Sequence, residues 1–169
     1  MIAIRLASLS DLPSIRQIYN DVILHTTAVY DYEAHSEQMM QEWFANKEKD
    51  GFPIFVAVDG DAVIGFSTFG PFRRWAAYQY TVENSVYVAE TARGKGAGRL
   101  LLNHVVDAAK LQGNHCIVAG IDATNQASIS LHQSVGFKEV AHFKEVGYKF
   151  GRWLDLKFLQ LMLDTPAIG

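Results

Sequence analysis

The chain has little cysteine, little proline and no long apolar run. Its 169 residues include one cysteine and four prolines. A single cysteine, Cys116, excludes an intramolecular disulfide, so the fold needs no oxidising compartment. No apolar run reaches the roughly 18 residues of a membrane-spanning helix. The first residues, MIAIRLASLSDL, lack the apolar core of a signal peptide. We therefore expect a soluble protein of a reducing compartment, most simply the cytoplasm.

The chain also lacks a large excess of charge of either sign. The chain has 15 Lys and Arg against 18 Asp and Glu, a formal net charge of −3. This balance excludes a strongly basic nucleic-acid binder and an acidic disordered tail. The hydrophobic share of 49% is enough to bury a core without disulfides or metal ions. Since no repeat or linker interrupts the sequence, we predict a single domain over residues 1–169.

The order of apolar patterns predicts an α+β fold with a central mixed α/β sheet flanked by helices. The predicted elements are a strand at 2–6, a helix after the N-cap Ser10, a helix from Ser36 to Lys49, strands at 54–58 and 62–69 joined by a hairpin turn, a strand at about 78–89, a helix at 98–111, a strand at 115–121, a short helix from Asn125 to Ser134, and strands at 137–146 and 150–161. The order βααβββαβαββ is not that of a doubly wound nucleotide fold, because three strands follow one another without a helix.

Two side-chain placements follow from these patterns. In the second helix, the helical spacing predicts an inward stripe formed by Met39, Met40, Trp43 and Phe44. On the strand at 115–121, alternation places His115 and Cys116 on opposite faces. Cys116 is therefore expected to be a buried, inert thiol. The six histidines show no HExxH or paired zinc spacing, so we predict no metal site and no metal cofactor.

The most informative motif is a seven-residue glycine loop before the helix at 98–111, Arg93-Gly94-Lys95-Gly96-Ala97-Gly98-Arg99. Glycines let the backbone approach a ligand closely, and a helix N-terminus offers unpaired N–H groups and a partial positive charge. With three cationic side chains, the loop suits a pyrophosphate. The alternative is a flexible turn that only starts a helix. The loop is neither a P-loop, which needs Ser or Thr after the lysine, nor a dinucleotide fingerprint, whose third glycine is here Arg99.

The glycine loop fits the pattern [RQ]xxGx[GA], with Arg93, Gly96 and Gly98 in register, and so resembles the acetyl-CoA loop of the GCN5-related N-acetyltransferases (GNAT). Four further segments resemble one branch of that family, the phosphinothricin and methionine sulfoximine acetyltransferases. These segments are residues 69–73, 80–88, 125–132 and 147–155. The similarity covers nearly the whole chain and implies the GNAT fold.

The resemblance implies acetyl-CoA as co-substrate and indicates the residues that hold it. The thioester oxygen would accept hydrogen bonds from the backbone of Val86, Tyr87 and Val88. The pyrophosphate would lie against Arg93, Gly94, Lys95, Gly96, Ala97, Gly98 and Arg99. On the short helix, Asn125 and Ser128 share a face with His132 and complete the coenzyme-binding set. Asn125 would touch the pantetheine arm; its alternative role is to cap the helix.

Two side chains are catalytic candidates. Glu83 precedes the glycine loop on the strand expected beside the thioester, and its carboxylate could take a proton from the acceptor ammonium. The alternative is a solvent-facing glutamate. His132 stands where many family members have a tyrosine that protonates the coenzyme thiolate, a substitution expected of the phosphinothricin-like branch, and an imidazolium could donate that proton. A packed core histidine is an equal alternative.

A cationic and aromatic group before Glu83 is the candidate acceptor site. Arg73 could pair with the carboxylate or phosphinate of an amino acid, together with Phe72, Tyr78 and Glu83. Arg74 is more simply a surface residue. We therefore predict direct acetyl transfer, in a ternary complex, to the α-amine of a small amino acid or its toxic analogue. The resemblance implies phosphinothricin, methionine sulfoximine or methionine sulfone as that acceptor.

Two other functions and one assembly stay open. The same fold could act on a polyamine, an aminoglycoside or a protein N-terminus, although the arginines disfavour polycations. A non-catalytic CoA-binding module is the second alternative. The long alternating C-terminal strand presents a surface that in this family supports a homodimer. No nucleic acid or membrane partner is expected.

Overall fold

The computed structural model describes residues 1–164, and these form one seven-stranded sheet with helices on both faces. The elements in chain order are β1 (Ile2–Leu6), α1 (Leu12–His25), α2 (Glu37–Asp50), β2 (Ile54–Asp59), β3 (Ala62–Pro71), β4 (Thr81–Val88), α3 (Ala97–Leu111), β5 (Cys116–Asp122), α4 (Gln126–Val135), β6 (Lys138–Lys149) and β7 (Arg152–Met162). The predicted fold class and element order are confirmed. The last residues of the predicted domain, 165–169, lie outside the described residues.

The sheet opens between its two central strands. The strand order is β1-β2-β3-β4-β5-β7-β6, and β4 and β5 form its parallel pair. They pair only from Thr81 to Glu83 on β4 and from Cys116 to Val118 on β5, whereas β4 stays paired with β3 as far as Val88. Beyond Glu83 the edges of β4 and β5 therefore face a gap instead of each other. This gap positions the candidate site.

The helices cover the two faces with separate apolar clusters. On one face, α1 and α2 pack on β2 and β3 through a cluster that includes Ile15, Phe44 and Phe66. On the other face, α3 and α4 pack on β4 and β5 through a cluster that includes Leu102 and Ile117. Cys116 is buried, as predicted, and its thiol is free. No helix within residues 1–164 is long and apolar enough to cross a membrane.

Two details at the helices differ from the predictions. Met39 is 46% exposed, whereas Met40 and Phe44 are buried, because residues four apart share a helix face and Met39 lies about 100° away from it. Ser10 lies inside a short 3-10 turn, and Asp11 is the N-cap of α1. Both Asp11 carboxylate oxygens accept hydrogen bonds from Arg5, at 2.7 and 2.8 Å. This pairing lowers the pKa of Asp11 to about 2 and ties β1 to α1.

Two strand boundaries also differ. The strand predicted at about 78–89 begins at Thr81, because Ala76–Tyr78 forms a 3-10 turn. The strand predicted at 137–146 runs on to Lys149. A bulge accounts for its length: Glu145 has φ 55°, and the register with β7 shifts there. The bulge takes up the extra residues, so β6 pairs with β7 again at Gly147 and continues to Lys149.

Candidate active site

A cavity of about 660 Å³, called here the large cavity, lies between the end of β4, the start of α3 and the start of α4. Every predicted coenzyme residue except Lys95 lines it: Val86, Tyr87, Val88, Arg93, Gly94, Gly96, Ala97, Gly98, Arg99, Asn125 and Ser128. Lys95 is exposed on the glycine loop. The structure thus gathers residues of two helices and one strand around a single space.

The glycines of the loop serve two different purposes. Gly94 and Gly96 have φ values of 77° and 88°, in the left-handed region, with open space where a Cβ would be. Their role is therefore conformational, and they shape the turn that delivers the chain to the start of α3. Gly98 instead makes room, because a Cβ there would lie 3.2 Å from Leu131 Cδ2 of α4. The loop leaves the first N–H groups of α3 without helical partners beside the large cavity.

A second cavity, of about 260 Å³, lies in the gap between β4 and β5 and is called here the cleft cavity. Glu83, Asn84 and His132 line it. It shares a further set of lining residues with the large cavity: Ala28, Val86, Tyr87, Asn125 and Ser128. The two spaces therefore meet along β4 and α4. The structure brings both catalytic candidates to that junction.

The backbone of β4 alternates between its two neighbours. Ala89 N–H donates to Ile64 O on the β3 side, and Tyr80 O accepts from His115 N–H on the β5 side, both at 2.8 Å. Because the register of β4 with β3 is unbroken, even-numbered residues direct their backbone groups toward β5. The N–H groups of Val86 and Val88 therefore face the gap. That of Tyr87 faces β3.

Glu83 is partly buried and faces the cleft cavity, not open solvent. Its Oε1 lies 3.3 Å from the position of a Cβ on Gly120, so the missing side chain at Gly120 leaves room for the carboxylate. Burial raises the pKa of Glu83, and the positive charge of Arg73 partly opposes that rise. A carboxylate with a raised pKa is a stronger base. The geometry supports the base role over the solvent-facing alternative.

His132 is 3% exposed and both of its ring nitrogens have partners. Nδ1 lies 2.8 Å from Ser128 O, which only accepts, so Nδ1 carries the proton. Nε2 lies 3.1 Å from Asn84 Nδ2 and accepts from that amide. Burial lowers the pKa of His132, so the neutral ring prevails at neutral pH. In this state His132 orients Asn84 and has no Nε2 proton to donate.

Asn84 is a residue that the sequence analysis did not single out. It is 8% exposed, and its Oδ1 is the one buried side-chain polar atom within residues 1–164 that has no hydrogen-bond partner. Asn84 lines the cleft cavity on the side of β4 that faces α4. A buried oxygen without a partner is costly unless a ligand supplies a donor. The sequence feature that could have indicated Asn84 is its place between Val82 and Val86, as a polar residue on an otherwise apolar face of β4.

Of the predicted acceptor residues, Glu83 lines the cleft cavity, whereas Phe72, Arg73 and Tyr78 lie at its rim and not in its lining. The Phe72 ring packs edge-on against Tyr78 at 5.7 Å and against Phe158 at 6.2 Å, and Phe158 does line the cavity. Arg73 is exposed, with its guanidinium 5.4 Å from the centre of the Phe72 ring. Arg73 influences the cleft cavity electrostatically, because its positive charge lowers the pKa of Glu83.

The lining of both cavities depends on the segment between α1 and α2. Thr26 and Thr27 line the large cavity, and Tyr30 lines the cleft cavity. Lys149 of β6 donates from Nζ to the carbonyls of Ile23, Thr26 and Val29, at 2.6, 2.8 and 2.8 Å. Lys149 belongs to one of the family-like segments. The sequence pattern did not predict its contact with Ile23, which lies more than 100 residues away in the chain.

A family model for the acetyltransferase (GNAT) domain matches residues 4–157. The chain belongs to this family. An L-methionine sulfoximine/L-methionine sulfone acetyltransferase of Salmonella typhimurium is 43% identical over 164 residues, covering 97% of this chain and 96% of the relative. A phosphinothricin N-acetyltransferase of Streptomyces coelicolor is 35% identical, covering 89% of this chain and 90% of the relative. These matches confirm the predicted family and branch, and they place the chain among the N-acetyltransferases.

A solved structure agrees with the GNAT fold. An acetyltransferase from Salmonella typhimurium, determined with its cofactor acetyl-CoA, superimposes with a TM-score of 0.96 at 42% identity. The match covers 99% of this chain and 96% of that chain. Within residues 1–164, no group of three or more His, Cys, Asp and Glu side chains is arranged to hold a metal ion.

Proposed function

We propose that this GNAT protein transfers the acetyl group of acetyl-CoA to the α-amine of a small amino-acid analogue. The substrates proposed are methionine sulfoximine, methionine sulfone and phosphinothricin. The observation that carries the proposal is the junction of the large and cleft cavities, where a partly buried carboxylate meets the residues suited to the coenzyme. The names of the relatives supply the substrate class.

In the proposed reaction, the acceptor nitrogen forms a bond to the thioester carbon as the carbon–sulfur bond breaks. Glu83 takes the proton that the acceptor ammonium loses, directly or through water. The N–H groups of Val86 and Val88, which face the gap, would donate to the thioester oxygen as negative charge develops there. The nitrogen would lose its second proton as it becomes an amide, and the departing coenzyme thiolate would take up a proton through water, because neutral His132 has no Nε2 proton to donate. His132 would act here through Asn84, whose amide it orients.

The coenzyme would enter by the large cavity. Its pyrophosphate would lie against the glycine loop, at the positive end of α3 and beside Arg93 and Arg99. The pantetheine arm would pass Asn125 and Ser128 toward the cleft. Asn125 also caps α4, because its Oδ1 accepts from Ser128 N–H at 3.2 Å. The two roles proposed for Asn125 are therefore compatible. Arg73 would attract the acceptor's carboxylate at the rim.

Release of free thiol from acetyl-CoA tests the proposed function. We expect turnover with L-methionine sulfoximine and L-phosphinothricin at least about 100-fold above that with spermidine, kanamycin or a peptide with a free N-terminal alanine. An Nα-acetylated methionine sulfoximine control has no free amine and should release nothing. Turnover with a polyamine or peptide alone would reassign the acceptor. Binding of acetyl-CoA without thiol release in any arm would support the binding-module alternative.

We also propose that the protein is a cytoplasmic homodimer. Exposed apolar side chains gather on β6 and β7, namely Val140, Phe143, Val146, Tyr148, Trp153 and Met162. The buried, free Cys116 agrees with a reducing compartment.

The apolar patch on β6 and β7 is of a kind typical of an interface. In sedimentation measurements we expect a dimer for the wild type and a monomer for Trp153→Glu, with exposed Trp75→Glu as control; a wild-type monomer would contradict the proposal.

A further inference from the structure

A third cavity lies on the α2 side of the sheet and has no part in the proposed mechanism. It encloses about 120 Å³ beneath α2, against β3 and β4, and is called here the α2 cavity. Tyr19, Trp43 and Phe66 form its aromatic wall, with Trp43 and Phe66 in edge contact at 6.1 Å. Lys47 enters the same space from α2. An aromatic wall with one cation suits a small ligand that has both apolar and polar parts.

The α2 cavity adjoins the catalytic junction. Ser85 and Tyr87 line both the α2 cavity and the cleft cavity. Because successive side chains of a strand alternate, Glu83, Ser85 and Tyr87 share one face of β4, the face that α1 and α2 cover. Residues two apart on a strand are about 7 Å apart, roughly the distance from the α-amine of an amino acid to the end of a four-atom side chain.

Lys47 has hydrogen-bonding capacity to spare. Its Nζ donates to Phe69 O at 2.7 Å and lies 5.4 Å from the centre of the Phe52 ring. An ammonium has three protons, so the Phe69 carbonyl leaves donors for a ligand. Burial lowers the pKa of Lys47 to about 8, so the ammonium still predominates at pH 7.

The Lys47 ammonium lies where the end of the acceptor's side chain could reach. Nζ lies 3.1 Å from where a Cβ of Gly70 would be, and Gly70 is the direct cross-strand partner of Glu83. Lys47 is therefore beside the proposed base but on its β3 side, whereas Glu83 Oε1 lies on the β5 side near Gly120. An acceptor whose amine meets Glu83 could direct its side chain toward Lys47.

We propose that the α2 cavity receives the acceptor's side chain and that Lys47 donates hydrogen bonds to its terminal oxygen. This inference rests on the proposed function and deepens it. The ligand class is an amino acid of about four side-chain atoms that ends in an S–O or P–O group. The aromatic wall contacts the methylene groups and the terminal methyl. Lys47 then determines specificity, because a thioether side chain offers it no oxygen.

The test compares L-methionine sulfone with L-methionine, which differ only in the two oxygens on sulfur. Lys47→Met removes the ammonium and keeps an unbranched side chain. We expect it to raise the KM for the sulfone by about 10- to 100-fold. The inhibition constant of L-methionine, measured as a competitor of sulfone acetylation, should change by no more than about threefold. The KM for acetyl-CoA should stay at its wild-type value, and Lys47→Arg should restore part of the sulfone affinity.

A variant of an exposed lysine, Lys110→Met, is the matched control and should behave as the wild type. Equal losses for the sulfone and for L-methionine would overturn the inference, because they would show a merely structural role for Lys47. An unchanged KM for the sulfone would also overturn it. A wild-type protein that acetylates no amino acid would instead contradict the proposed function, so the two failures are distinguishable.

Discussion

Glu83→Gln should lower kcat with L-methionine sulfoximine by about 10²- to 10⁴-fold and leave the KM for acetyl-CoA unchanged. Glutamine has the shape of glutamate but cannot take a proton from the acceptor ammonium. Glu83 lines the cleft cavity and is absent from the lining of the large cavity. The substitution should therefore slow the chemical step without weakening coenzyme binding.

The pH profile separates this explanation from a loss of structure. A base works only when ionised, so activity falls as the pH drops through the pKa of Glu83. Burial raises that pKa above the ordinary value of 4.5. The acid limb of kcat/KM should therefore lie above pH 4.5 in the wild type and disappear in Glu83→Gln. Arg73→Met removes a charge that lowers the pKa, so its acid limb should move to higher pH.

Glu42→Gln provides the control for this pair. Glu42 is exposed on α2 and away from the lining of all three cavities described above. Its replacement should leave both kcat and the pH profile at wild-type values. A kcat for Glu83→Gln within about twofold of the wild type would remove Glu83 from the mechanism and return it to a structural role.

The residues that line the large cavity could be grouped from the sequence because most of them are close together in the chain. Six of its lining residues lie within the seven-residue loop from Arg93 to Arg99, and glycines before a helix have a direct conformational meaning. Asn125 and Ser128 follow from the spacing of a single helix. Lys95 is the one residue of the loop that does not line the large cavity, and it is exposed between neighbours that do.

The proposed acceptor side could not be predicted in the same way, because elements far apart in the chain build it. Lys47 reaches β3 only through the packing of α2 on the sheet, and it meets Phe69 across 22 residues. Asn84 meets His132 across 48 residues. Helical spacing identified α2 but wrongly placed Met39 inward together with Met40, although adjacent residues of a helix lie about 100° apart and cannot both face the core. Periodicity identifies a helix but does not show which space its polar residues enter.

Lys149→Met should be among the most destabilising substitutions in the chain. Lys149 is 3% exposed, and its ammonium donates to the carbonyls of Ile23, Thr26 and Val29. Methionine fills much of the same volume but leaves these carbonyls without their donor. Loss of a buried charged donor and its acceptors costs on the order of 3 kcal/mol. For a chain of this size, that corresponds to a fall in Tm of about 6–12 °C.

The same substitution should loosen the segment between α1 and α2. The carbonyl of Ile23 belongs to the last turn of α1, where helix carbonyls lack intrahelical partners. Lys149 therefore caps α1 and fixes the residues that follow it, including Thr26 and Thr27 of the large cavity. We expect faster amide hydrogen exchange in residues 22–30 and a higher KM for acetyl-CoA, even at temperatures where the variant is fully folded.

Two further variants distinguish geometry from charge. Lys149→Arg keeps the charge, but a planar guanidinium cannot direct its protons at three carbonyls that surround one nitrogen. It should therefore also lower Tm. Lys138→Met removes an exposed lysine from the same strand and should leave Tm, exchange and KM unchanged. If Lys149→Met and Lys138→Met unfold at the same temperature, the segment is held by the packing of α1 and α2 alone. The three carbonyl contacts would then add nothing to the shape of the site.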